Sequence, residues 1–174
     1  MNLRSFITAV PDFPKQGILF RDMSPLLANP EAFAETIAQM EAHWKNEGIT
    51  KLGAFDARGF IFASALAHKM KLPFFMLRKK GKLPGKTVSV SYGLEYGSDV
   101  IEMQEDAVSK HDVVLLVDDV LATGGTAKAG AELIEKCGGK VLGLATVMEL
   151  GFLNGRDVFG RDVQALITYG EHDA

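Results

Sequence analysis

The chain has 174 residues, 47% of them apolar and 24% charged, the balance of an ordinary globular protein with one sizeable core. Nineteen basic against 22 acidic residues leave a formal charge of −3, which argues against non-specific nucleic-acid binding, since that depends on clustered Lys and Arg. The single cysteine, Cys137, excludes an internal disulfide framework, the N-terminus lacks the apolar core of a signal peptide, and no stretch approaches the roughly 20 apolar residues that span a bilayer, so a soluble cytoplasmic protein is expected.

Along the chain, the first clear element is NPEAFAETIAQMEAHWKNEG. Asn29 suits an N-cap, Pro30 the first helical position and Gly48 a stop, and Phe33, Ile37, Met40 and Trp44 recur at helical spacing. KLGAF (51–55) reads as a short buried strand, followed by the turn DARGF and the helix FIFASALAHKM. PFFML (73–77) is a second strand, running into the polar RKKGKLPGK. TVSVSY (87–92) and DVIEMQ (99–104) flank a glycine-bearing connection, as in a hairpin or flap. VVLLV (113–117) is a strand, TAKAGAELIEKCGG a helix stopped by glycines, KVLGLATVMEL (140–150) the next strand, and VQALITY (163–169) the last. With no repeat, low-complexity segment or long linker, residues 1–174 read as a single domain. Alternating strands and helices imply an α/β fold with a largely parallel central sheet, and ligands in such sheets gather at the carboxyl ends of the strands. The turns after Phe55, Val117 and Leu150 are therefore the places to search for a site.

After Val117 come Asp118 and Asp119, then ATGGT, Ala122 to Thr126, before a helix. Gly124 and Gly125 allow a sharp turn and close ligand approach, and successive amides with the Thr123 and Thr126 hydroxyls form a neutral pocket suited to a phosphate. No Gly-Lys-Ser/Thr follows, so this is not a Walker loop, nor is it G-x-G-x-x-G. Alone, a Gly-Gly turn is as compatible with plain punctuation. The adjacent carboxylates would repel a bare phosphate. They fit a ligand that also offers hydroxyl donors, as the 2′ and 3′ hydroxyls of a ribose 5-phosphate do. The alternatives for the pair are a Mg²⁺ site, or an N-cap beside a solvated residue.

VVLLVDDVLATGGT resembles the phosphoribosyl-pyrophosphate (PRPP) motif of the type I phosphoribosyltransferases. PDFPKQGILFRDMSPLL (11–27), DARGF (56–60), RKKGKLPGKT and YGLEYGSDVIEM resemble, in the same order, the hood, pyrophosphate loop, basic segment and flexible active-site loop of that family's adenine-specific members. The resemblance implies the type I phosphoribosyltransferase fold: a mostly parallel sheet flanked by helices, with a hood over about residues 1–30 and a flexible loop region over about 79–103. It implies transfer of the 5-phosphoribosyl group of PRPP to adenine, giving AMP and pyrophosphate, in a homodimer without nucleic-acid or membrane partners. Residue by residue, it assigns the ribose hydroxyls to Asp118 and Asp119 and the 5′-phosphate to Ala122, Thr123, Gly124, Gly125 and Thr126. Pyrophosphate falls to Asp56, Ala57, Arg58 and Gly59, largely through backbone amides, and to Arg78, reaching across the dimer interface. Adenine falls to Leu19, Arg21 (through its backbone) and Leu150. Glu95 is assigned as acid/base at the purine N7, Arg58 as a further catalytic group, and Tyr96 to ordering the loop or contacting the phosphates. Mg²⁺ is expected bound through PRPP rather than in a protein metal site. Phe20 could equally be core, and Ala63 stands where many relatives carry glycine, a packing difference.

The four histidines form no H-E-x-x-H or Cys/His pattern and read as surface or packing residues. Two other functions compete. A 6-oxo purine would want a donor at O6, often a lysine before the last strands, where this chain has Met148, Glu149 and Leu150. A non-catalytic PRPP sensor or RNA-binding regulator would call for an added DNA-binding domain or a broad basic face, against which length and charge both argue.

Overall fold

In the computed structural model, which describes residues 1–93 and 99–173, an antiparallel two-stranded ribbon comes first. β1 (Thr8–Pro11) pairs with β2 (Leu19–Asp22), Ala9 opposite Arg21 and Pro11 opposite Leu19. The sequence patterning did not signal this ribbon. A short helix α1 (Ser24–Ala28) leads into α2 (Pro30–Trp44), which starts as anticipated: the Asn29 Oδ1 accepts the Ala32 N–H at 2.8 Å. Ile37, Met40 and Trp44 are buried and Phe33 is half-buried against Phe62, ring centroids 5.9 Å apart. The helix ends at Trp44, ahead of Gly48, because the Glu47 N–H turns back onto the Trp44 carbonyl.

The main sheet is built from β3 (Lys51–Phe55), β4 (Phe74–Lys79), β5 (Thr87–Tyr92), β6 (Asp99–Gln104), β7 (Val113–Leu121), β8 (Lys140–Leu150) and β9 (Asp162–Tyr169). Their spatial order is β5-β6-β4-β3-β7-β8-β9. The run from β4 to β9 is parallel and β6 pairs antiparallel with β4 and β5. The apolar runs of the central strands β3, β7 and β8 suit burial on both faces. On one face α2 and α3 (Gly59–Met70) pack over Leu52, Leu115, Val117 and Val147; on the other α4 (Gly125–Lys136) covers Phe55, Val114, Leu116 and Leu144. Fully burying one such side chain contributes roughly 1.5–3 kcal/mol, so the sheet is a firm base for whatever its strand ends carry. A last short helix, α5 (Gly155–Phe159), lies between β8 and β9. Among the described residues, no helix is long and apolar enough to cross a membrane.

β3 connects through α3 to β4 on one side, while β7 connects through α4 to β8 on the other. The crevice at their carboxyl ends is the topological switch point, where open α/β sheets hold ligands.

Candidate functional site

At the end of β3 the Asp56 N–H donates to the Leu77 carbonyl, the Asp56–Ala57 peptide is cis, and α3 starts at Gly59. Gly59 is glycine because α3 begins against β7. A Cβ there would lie 3.0 Å from both the Val117 carbonyl oxygen and Asp118 Oδ1. The absent side chain lets the turn and the acidic pair share one crevice.

β7 continues four residues past Val117, since its ladder with β8 runs to Leu121 opposite Glu149. The acidic pair is therefore in the strand, not in the turn after it, and the strand pleat sends its members to different sides. Asp118 lines a cavity of about 190 Å³ with Thr123, Gly124 and Thr126. Asp119 lines a second cavity of about 140 Å³ with Leu19, Phe20, Arg21, Arg58, Met148 and Leu150. Val120 borders both, so the end of β7 is the wall between them.

The two carboxylates differ electrostatically. Asp118 keeps some solvent access on the cradle side, but its carboxyl is packed among protein atoms. Burial, then repulsion by Asp119, push its pKa well above the usual carboxylate range, against the opposing pull of the Asp119 N–H at 2.8 Å. Asp119 is buried with Arg58 Nε 2.7 Å from its Oδ2. The guanidinium N–H groups do not point at that oxygen, so it has a counter-charge without an aligned hydrogen bond. Arg58 itself is exposed and lies over the Phe20 ring, 5.3 Å from its centroid. Phe20 is thus a half-buried wall of the second cavity rather than core.

The Ala122–Thr126 loop, the cradle side of the crevice, turns at its glycines. Gly124 sits at φ 82° ahead of α4, which begins at Gly125 with the orphan amides of a helix N-terminus. Thr126 Oγ1 donates to the Tyr92 hydroxyl at 3.2 Å, tying β5 to the cradle. Over the second cavity, the Arg21 guanidinium stacks 4.1 Å above Tyr169 and donates to the Asp173 carbonyl. With that side chain engaged, the edge of β2 offers backbone groups. Arg4 fixes the same corner, donating to Asp173 Oδ1 at 2.8 Å and to the Thr168 carbonyl. The Gly170 N–H, then Arg4, hold the Asp173 carboxyl below the usual range.

The structure thus gathers Asp56, Ala57, Arg58, Gly59, Asp118, Asp119 and Ala122 to Thr126 at one crevice, with Leu19, Arg21 and Leu150 around the neighbouring cavity. Arg78 turns toward the same crevice, its Nε 3.4 Å from Asp56 Oδ2 and its Nη1 donating to the Lys82 carbonyl. Glu95 and Tyr96 lie outside the described residues. Sequence reasoning missed Tyr92, Val120 and the Glu149–Arg156 ion pair, whose partners carry no motif. Among the described residues, no three His, Cys, Asp or Glu side chains converge as a ready-made metal site.

Residues 23–157 match the phosphoribosyl transferase domain family. The chain is 52% identical over 168 residues to the adenine phosphoribosyltransferase of Maridesulfovibrio salexigens, covering 96% of this chain and 99% of that one. The crystal structure of adenine phosphoribosyltransferase from Rhodothermus marinus matches with a TM-score of 0.91 at 43% identity, over 96% of each chain. That of the APRTase from Giardia lamblia, complexed with 9-deazaadenine, matches with a TM-score of 0.91 at 37% identity, over 97% of this chain and 96% of that one.

Proposed function

The chain belongs to the phosphoribosyltransferase family, and we propose that it is a purine-salvage transferase that moves the 5-phosphoribosyl group of PRPP onto adenine, giving AMP and pyrophosphate. The observation that carries this reading is the position of β7: its acidic end separates a phosphate-sized cradle from a hooded, mainly apolar cavity. A substrate with a phosphate at one end and a flat base arriving at the other would place its ribose on that wall.

In this scheme the 5′-phosphate takes the first-turn amides of α4 and the Thr123 and Thr126 hydroxyls. Asp118 and Asp119 accept hydrogen bonds from the 2′ and 3′ hydroxyls. Breaking the anomeric C–O bond builds positive charge on the sugar beside departing pyrophosphate, which Arg58, Arg78 and the amides of Asp56 to Gly59 stabilise. Arg58 starts as the counter-ion of Asp119 and transfers its charge to pyrophosphate as Asp119 takes up the diol. The under-bonded Asp119 Oδ2 fits a Mg²⁺ carried in on the PRPP phosphates beside Asp118 and Asp119. Mg²⁺ so bound would neutralise leaving-group charge.

Adenine enters under the hood, flanked by the apolar Leu150, with the edge of β2 from Leu19 to Arg21 reading its polar rim. Glu95 would move the proton at the purine N7, with Tyr96 ordering the loop. Phe74 and Met76 expose apolar side chains on the face of β4 that also carries Arg78, as a homodimer interface requires. The reaction is placed in the cytoplasm, in keeping with a lone unpaired cysteine.

Replacing Asp118→Asn together with Asp119→Asn tests the site. Calorimetric titration with PRPP and Mg²⁺ should show affinity falling by about tenfold or more, as the loss of one charge-assisted hydrogen bond implies. Unchanged affinity would remove the diol assignment.

A further inference from the structure

We propose that Gly155 is a positioning residue for the phosphate loop, held against it by the Arg156–Glu149 ion pair. This rests on reading Ala122 to Thr126 as the seat of the PRPP 5′-phosphate, and goes beyond it by naming what sets the loop's shape. Gly155 and the loop meet backbone to backbone. A Cβ on Gly155 would fall 2.3 Å from the Ala122 carbonyl oxygen and 3.1 Å from Leu121 Cδ1. A Cβ on Gly124 would fall 2.3 Å from the Gly155 carbonyl oxygen. Neither position has room for a side chain, so the location of α5 dictates how the loop stands above the cradle.

A five-residue helix cannot hold that place by itself, since isolated helices well below about 12 residues are marginal. Two features fix α5. Phe159 is buried in the cluster that contains Leu121, Ala127 and Leu144. Arg156 spans β8 and β9: its Nε lies 2.7 and 2.9 Å from the two Glu149 carboxylate oxygens, and its Nη1 donates to the Val163 carbonyl at 2.7 Å. The Glu149 side chain is only 5% exposed, and its other hydrogen bond, from Thr168 Oγ1, is long at 3.4 Å. Removing Arg156 would leave a buried carboxylate almost unsupported, which releases α5 and disturbs Glu149 together. No catalytic role is implied for these residues. They act on substrate through Ala122 and Gly124.

The test compares Gly155→Ala, Gly124→Ala, Arg156→Gln and Arg156→Lys in the full chain. The readouts are KM for PRPP, KM for adenine, kcat at saturation and direct calorimetric binding of PRPP. Gly155→Ala should weaken PRPP binding by about tenfold or more while kcat and the adenine KM stay within about twofold. Arg156→Gln should move PRPP affinity the same way, and Arg156→Lys should restore part of it. PRPP affinity lost in Gly124→Ala but intact in Gly155→Ala would overturn the positioning role and leave the loop assignment standing. Affinity intact in both would overturn the loop assignment itself. Equal losses for PRPP and adenine would mark general damage and also overturn the proposal. Should Gly155→Ala fail to fold, the Arg156 pair decides: wild-type PRPP affinity in Arg156→Gln contradicts the role.

Discussion

Substituting Gly59→Ala probes the contact that brings the Asp56–Gly59 turn, proposed above to bind pyrophosphate, and the acidic pair together. The new Cβ would stand 3.0 Å from Asp118 Oδ1, 3.0 Å from the Val117 carbonyl oxygen and 3.2 Å from Asp118 Cα. The carboxylate oxygen can swing aside. The other two atoms belong to the backbone of a central strand hydrogen-bonded on both sides, so α3 must retreat by a few tenths of an ångström. Such overpacking costs about 1–3 kcal/mol. Alanine's helix preference returns at most about 1 kcal/mol, and less at a first helical position. The net loss of about 1–2 kcal/mol corresponds to a fall of about 2–8 °C in Tm for a chain of this size. Because a misplacement of about 1 Å costs up to about 10²-fold in rate, a shift of tenths should lower kcat/KM for PRPP by about tenfold. Thermal melts, forward kinetics and the pyrophosphate KM in the reverse reaction would measure both effects. A variant with wild-type Tm and wild-type kcat/KM would refute the close packing of α3 on Asp118 as the basis of the site.

Asp118→Asn should be more stable than the parent at pH 7 and yet bind PRPP less well. Burial and Asp119 raise the folded-state pKa of Asp118, so the unfolded carboxyl releases its proton first. Its contribution to stability is then lost as pH rises from the ordinary carboxylate value of about 3.9 through the folded pKa. The Tm advantage of the asparagine variant should shrink toward about pH 4; an advantage independent of pH would contradict this electrostatic account. Glu95→Gln should lower turnover by about 10²–10⁴-fold with little change in adenine affinity, and full activity would remove it as the acid/base. Light scattering tests the proposed homodimer: the parent should run as a dimer and Met76→Glu, which puts a charge on the exposed face of β4, as a monomer, whereas a monomeric parent would contradict the dimer and a dimeric variant would place the interface elsewhere.

The strands at 51–55 and 140–150 stand where their apolar runs put them, because strands buried on both faces need apolar residues throughout, whereas the antiparallel strands at 87–92 and 99–104 keep their expected bounds with polar residues interleaved among Val88, Val90, Ile101 and Met103. The end of β7 does not. Asp118 and Asp119 look like a turn locally, and only the hydrogen-bond ladder to β8 keeps them extended. That tertiary effect splits the pair between two cavities, a division no linear motif displays. The β1–β2 ribbon was equally hidden. Its connection is long, with Asp12 and Gly17 at positive φ, and its strands have only four residues. α5 is too short to show a helical period, and Asn154-Gly155 reads as a turn signal. The Ala122–Thr126 loop itself was legible from its glycines, which turn the chain at Gly124 ahead of α4, but the neighbour that shapes it was not. Glu149 and Arg156 meet across a chain reversal, so nothing in their spacing suggests a pair.

The central claim is tested most directly by offering PRPP and Mg²⁺ with adenine, hypoxanthine, guanine and xanthine in parallel, following nucleotide and pyrophosphate together. The account predicts AMP and stoichiometric pyrophosphate from adenine, with negligible product from the three 6-oxo purines. Turnover of a 6-oxo purine in place of adenine would contradict the reading of the hood and Leu150, and PRPP binding without turnover of any base would contradict the transferase assignment itself.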